Sequence, residues 1–281
     1  MPDAWSLAAI ATTFLLYIGV LTSAGTVLAT LVFRTPNMKS VAIRFACLGL
    51  VCALLGFLLD GAALTGDASG MTDTAMLGLL WVTPVGTALS FRVIGLALVI
   101  TGLAFGRLGL WVSAPGAFLA LWSFVTVGHI YERDRLWLDA LLMIHLTIIA
   151  LWIGILTPLR RLARDGAASA AAQLGHRFGR LAVFVVPLLI LAGLVMSYVL
   201  VGSIAALFGT GYGQMLMVKV AVVAGLLGLG ALNKVRFVPR LMAGDKQAAK
   251  HLSWSIAFEW VAFCVILLTT AVLTSVLSLP S

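Results

Sequence analysis

The stretch HRFGRLAVFVVPLLILAGLVMSYVLV (176–201) decides the fold. From Phe178 to Val201 it carries a single charge, Arg180. As a helix rising about 1.5 Å per residue, a run of about 24 residues crosses the roughly 30 Å hydrocarbon layer of a bilayer. Its basic residues, His176, Arg177 and Arg180, all lie at one end.

The rest of the chain has the same character. Its 281 residues are 62% apolar and 10% charged, with a mean hydropathy of +1.13. A soluble domain is roughly 25% charged, so these residues cannot cover a water-soluble surface. Apolar runs of this length imply membrane helices rather than a barrel. One compact bundle is expected, with the lipid bilayer as its solvent. The net charge of +8 is accounted for by loop charges that orient the helices, not by nucleic acid. No removable signal peptide is expected, because Asp3 sits where a positive region belongs and the run from Trp5 to Phe33 is too long. Cys47, Cys52 and Cys264 lie within apolar runs and are odd in number, which argues against a disulfide framework.

Charges and Pro/Gly breaks divide the chain into eight spans, at residues 5–33, 41–64, 84–106, 110–130, 138–158, 178–201, 214–233 and 254–277. Fourteen of the 18 basic residues fall on one side, in connections or in the first turn of a span, which the positive-inside rule makes cytoplasmic. The opposite side holds Asp60, Asp67, Asp73, Glu132, Asp134 and Asp139. The chain also repeats: YIGVLT (17–22) matches WIGILT (152–157), and TPVGTALSFR (83–92) matches TGYGQMLMVK (210–219). RF at 44–45 and 177–178 opens equivalent spans. The expected fold is therefore all-α, a polytopic membrane protein. Its eight transmembrane helices form two parallel-oriented four-helix repeats, 1–130 and 131–281, with both termini on the outer face.

The halves differ in chemistry, because Ile10 stands where His145 falls in the second copy. His129 and His145 flank the outer hairpin between the copies, and neutral imidazoles bind copper, zinc or iron. Both can also be interfacial side chains bonded to water and headgroups. With the turn near Asp134 they differ in depth by about 9 Å, and they meet only if it centres near Trp137. His145 shares a helix face with Leu138, Ile149 and Trp152, while Met143 points elsewhere. Met143, Met215 and Met217 are outer thioethers, suited to Cu(I) and equally to apolar filling. Arg92 and Lys219 occupy one repeat position. Either they snorkel to the outer face, or they line a polar cavity or hold an acid such as Asp60. Glu259 is a carboxylate well inside the last span, marking a proton or ion path unless Arg177 or Arg44 neutralises it. Gly128, Gly154 and the run GLLGLGALN (225–233) are expected to allow close helix packing. His176 and His251 are expected to be solvated. Neither Walker, Rossmann nor zincin patterns occur, so the chain is expected not to be an enzyme.

GH (128–129), H-x6-W-x-G (145–154), HRFGRLAVFVVPLLILAGL (176–194), YGQMLMVKVAVVAGLLGLGALNKVRFVPRL (212–241) and a last span containing Glu259 follow one another over residues 120–275. In that order and spacing they resemble the CopD family of bacterial copper-resistance membrane proteins. One departure is Ile155, where that family often has a second glycine. The resemblance implies an eight-span inner-membrane protein that handles copper, as Cu(I) or Cu(II), beside a small periplasmic copper-binding protein, which makes the outer face, with both termini, periplasmic. It carries His129 and His145 over as copper ligands. Glu132, Asp134 and Asp139 are then expected to draw the cation in. Methionines and the membrane cysteines pass it on, and Glu259 marks the inner exit. Two other readings stay open: a haem-binding electron carrier with His129 and His145 as axial ligands, and a non-transporting scaffold that docks a periplasmic copper protein.

Overall fold

The computed structural model describes residues 4–35, 38–106, 108–131 and 135–277. Among them every regular element is helical. In chain order these are α1 (Ala4–Phe33), α2 (Lys39–Thr65), a 3-10 turn (Ala68–Met71), α3 (Thr74–Trp81), α4 (Pro84–Ala104) and α5 (Leu110–Trp122). There follow α6 (Leu136–Arg164), α7 (Ala168–Val201), α8 (Ile204–Gly209), α9 (Gly211–Leu232), a π-helical turn (Asn233–Phe237), α10 (Val238–Met242) and α11 (Lys246–Ser275). Seven helical segments among the described residues are long and apolar enough to cross a membrane, one of them running without a break from Gly211 to Met242. Glu132 and Asp134, expected to attract the cation, lie outside the described residues.

The segment expected as the fourth span, 110–130, is helical only over Leu110–Trp122, a helix of 13 residues. At about 1.5 Å per residue that covers roughly 20 Å, less than a full bilayer crossing. Beyond it the backbone turns, and Ser123, Phe124 and Val125 are buried. Irregular backbone at membrane depth is tolerated where protein covers it. Ser113 and Ser123 satisfy their hydroxyls on the carbonyls of Val99 and Ala120.

Helix α1 has no charged residue between Ala4 and Phe33 and lies at the centre, against α2, α5, α6 and α11. Small residues allow this. A Cβ on Gly25 would run into the carbonyl of Ala150 on α6, and one on Gly154 into the carbonyl of Gly25. The two helices thus cross in backbone contact, as small residues permit in membranes. The other glycines expected to pack behave differently. Gly128 has φ 88° and open space around it, so it makes a turn rather than a helix contact. Gly225 and Gly228 also face open space, and only Gly230 in that run is covered, by the ring of Trp152.

The connections carry their own stop signals. Asp73 caps α3 by accepting from Ala75 and Met76, and Thr83 caps α4 ahead of Pro84. Asp245 caps α11 by accepting from the Gln247 N–H and pairs with Arg240 at 2.7 Å. These contacts, the Gln247 bond first, hold the Asp245 carboxyl below its ordinary value of 3.8. A carboxyl lowered by folding stabilises the fold above its unfolded value and loses that contribution as pH falls through its folded value. Melting temperature is therefore expected to fall below pH 3.8 in the wild type. Asp245→Asn keeps the cap without the titration and should lose less over that interval.

Candidate functional site

His145 lies two to three turns into α6, on the face toward α7. Its Cε1 would be 3.4 Å from a Cβ on Gly193, so this glycine leaves the room the imidazole occupies. Its ring also reaches the backbone at Leu189, and Lys219 of α9 lies within electrostatic reach. Nδ1 of His145 is buried and has no hydrogen-bond partner among the described residues. A buried nitrogen without a partner calls for explanation, and a bound ion is one.

His129 faces elsewhere. Its Nε2 lies 3.3 Å and 3.2 Å from the carbonyls of Leu273 and Leu277 at the end of α11, and its ring meets Tyr212 edge-on at 5.9 Å. A metal at that nitrogen would have to displace both carbonyls. The two histidines thus have separate neighbours. Ile130, Leu138, Ala192 and Met196 form an apolar cluster at this end of the bundle.

The methionines sort differently from the sequence expectation. Met143 is buried in the main core. Met215 packs against Tyr212 and Leu273, the residues that also border His129. Met217 is half-buried and joins none of these clusters. Met196 joins Leu138, which shares a face of α6 with His145. No group of three or more His, Cys, Asp or Glu side chains able to hold a metal ion occurs among the described residues.

Arg92 does more than reach for the outer face. Its Nε donates to Ser123 Oγ at 3.2 Å, its guanidinium lies 5.3 Å from the Phe124 ring centre, and Asp60 and Tyr17 are within electrostatic reach. It ties α1, α2, α4 and the turn after α5 into one polar layer.

Glu259 of α11 is 2% exposed. Trp152 Nε1 donates to its Oε2 at 2.8 Å, and Asn233 Nδ2 donates to its Oε1. Neither arginine suggested by the sequence neutralises it. Arg177 donates to the Phe33 and Val32 carbonyls, and Arg44 to the Ser40 carbonyl. A charge at mid-membrane costs about 3 kcal/mol on insertion scales, and each hydrogen bond to a charged group returns about 1.5–3 kcal/mol. The two are of similar size, so burial alone excludes neither charge state. Trp152 is locked in turn by Phe178 and Phe263, at 6.1 and 5.9 Å between ring centres, and by Gly230. Asn233 escaped sequence reading because an amide after a glycine-rich run carries no charge and its partner lies 26 residues on.

Residues 172–273 match the family model for Copper resistance protein D. They are a CopD-family segment. The segment takes in α9, the π turn and most of α7 and α11, hence Gly193, Lys219, Asn233 and Glu259, and begins after His129, His145 and Trp152. The chain is also similar to the copper transport protein CutJ of Bacillus subtilis (strain 168), 28% identical over 183 residues. That similarity covers 63% of this chain and 32% of the relative, so the chain spans about a third of its length. No solved structure matches.

Proposed function

We propose that the chain is a copper-handling protein of the bacterial inner membrane that takes copper at the acidic, periplasmic end and passes it toward the basic, cytoplasmic end. The observation that carries this is the unpartnered, buried Nδ1 of His145, on a helix packed against a CopD segment. The similarity to a protein named for copper transport supports the cargo. His145 is the primary ligand, with Met196, three residues after Gly193 on α7, as the thioether candidate. His129 and Met215, which border the same Tyr212–Leu273 cluster, form a second and weaker station, because carbonyls already occupy Nε2 of His129. A small periplasmic copper protein delivers the ion, and Glu259 lies on the way to the basic end. The protein works as a carrier and not as an enzyme.

The two-repeat organisation, 1–130 and 131–281, belongs to the same proposal. Asp60 lies sixteen residues after Arg44, as Gly193 lies sixteen after Arg177. In the first copy an acid at this position faces Arg92. In the second, glycine makes room for His145 near Lys219. The exchange of Asp60 for Gly193 and of Ile10 for His145 turns a charge-balanced layer into one with an open ligand nitrogen.

Copper content and an absorption spectrum of purified protein, exposed to copper under reducing conditions and dialysed, test this reading. Retained copper without a Soret band is the expected result. A Soret band would favour the haem carrier. No retained copper would leave the docking scaffold.

A further inference from the structure

We infer that Glu259 is a proton-binding centre, reached from the basic end of the bundle along one face of α11 through Ser255 and His251. These three residues are spaced four apart, so they stack on one helix face about 6 Å from one to the next. Burial deepens along the row: His251 is exposed, Ser255 is 5% exposed and Glu259 is 2% exposed.

The middle member is the telling one. A serine or threonine in a membrane helix ordinarily bonds the carbonyl one turn back. Thr147 and Ser197 do so here, each at 2.7 Å. Ser255 does not: its hydroxyl is buried and has no partner among the described residues. It stands midway in the row between an exposed imidazole and a buried carboxylate.

The π turn ties both ends of this row. Asn233 opens it and donates to Glu259, while Phe237 closes it and stacks on His251 at 5.8 Å. π turns inside helices recur at functional sites. Asn233 Oδ1 is also buried without a partner among the described residues. That oxygen suits the proposed step. A proton passes from the imidazolium of His251 through one water to Ser255 Oγ while the Ser255 hydroxyl proton passes through a second water to Glu259 Oε1, because the hydroxyl touches neither neighbour directly. His251 then takes up a proton from the aqueous phase. Only O–H and N–H bonds form and break, and one proton is gained in total. Turning the Asn233 amide presents Oδ1 to the new carboxyl O–H.

No charged side chain among the described residues partners Glu259. Helix α1 has none to offer. On α6, Arg160, Arg161 and Arg164 border a pocket at its basic end with Thr157, Asp165 and Trp260. On the rod from Gly211 to Met242, Lys219 lies near His145, Lys234 lies along Gly179, Arg236 is exposed and Arg240 pairs with Asp245. On α11 itself Lys250 is exposed. Trp152 and Asn233, both neutral, are the groups that face the carboxyl.

Proton binding at Glu259 does not require copper to be bound. The test therefore uses copper-free protein, so failure of copper binding and failure of protonation are separate results. Infrared difference spectra across a pH titration should show a protonated-acid carbonyl band that Glu259→Gln removes. On transfer to D2O, that band should shift about tenfold or more slowly in Ser255→Ala and in His251→Ala, a modest share of what a positioned acid–base group contributes. Ser255→Ala should also keep its melting temperature, because it deletes a hydroxyl that has no partner to lose. A band missing at every pH, or one that persists in Glu259→Gln, overturns the centre. Wild-type exchange rates in both other variants, or a marked loss of stability in Ser255→Ala, overturn the path.

Discussion

Trp152→Ala should destabilise the protein by about 3–5 kcal/mol, the usual cost of deleting a buried aromatic side chain. The indole is 5% exposed and sits between Phe178, Phe263 and Gly230, which belong to three other helices. It also supplies one of the two donors on Glu259. Trp152→Phe separates these roles. It retains most of the ring volume and removes the N–H, and should lose about 0.5–3 kcal/mol, the span between a hydrogen bond to a neutral and to a charged carboxyl. Thermal unfolding in detergent, followed by loss of monodisperse protein, measures both. Equal stabilities for Trp152→Phe and the wild type would mean that the bond to Glu259 carries no weight.

Gly25→Ala should be as damaging as a core deletion, although it adds one methyl group. That methyl would occupy the space of the Ala150 carbonyl, and backbone cannot swing aside as a side chain can. The α1–α6 crossing must open and release its neighbours, at about 4 kcal/mol or more, within the range of severe overpacking. Gly225→Ala is the matched control. It faces open space, and alanine in a helix gains up to about 1 kcal/mol over glycine. A Gly25→Ala protein as stable as Gly225→Ala would contradict the close crossing.

Hydropathy made most of the spans legible, because a bilayer demands long apolar helices and little else. It failed at 110–130, where apolar composition says nothing about where a helix stops inside protein. It also failed on glycines, whose composition is identical whether they face a neighbouring helix, as Gly154 does, or open space, as Gly228 does. Charged candidates were findable singly, since any ion in so apolar a chain stands out. Their partners were not. Glu259 looks toward Trp152 and Asn233 rather than the arginines, and Arg92 toward Ser123 and Phe124. Such pairings depend on how helices rotate against each other. The histidine pair illustrates this best, because its separation hinged on where a turn centred, and the two rings ended on different neighbours.

The central claim is that His145 is the principal copper ligand. Copper affinity and stoichiometry of the purified wild type, His145→Ala and His129→Ala, measured side by side under reducing conditions, test it most directly. Loss of bound copper in His145→Ala, with a smaller loss in His129→Ala, is the predicted result. Wild-type binding in His145→Ala, with the variant folded by thermal unfolding, would contradict it.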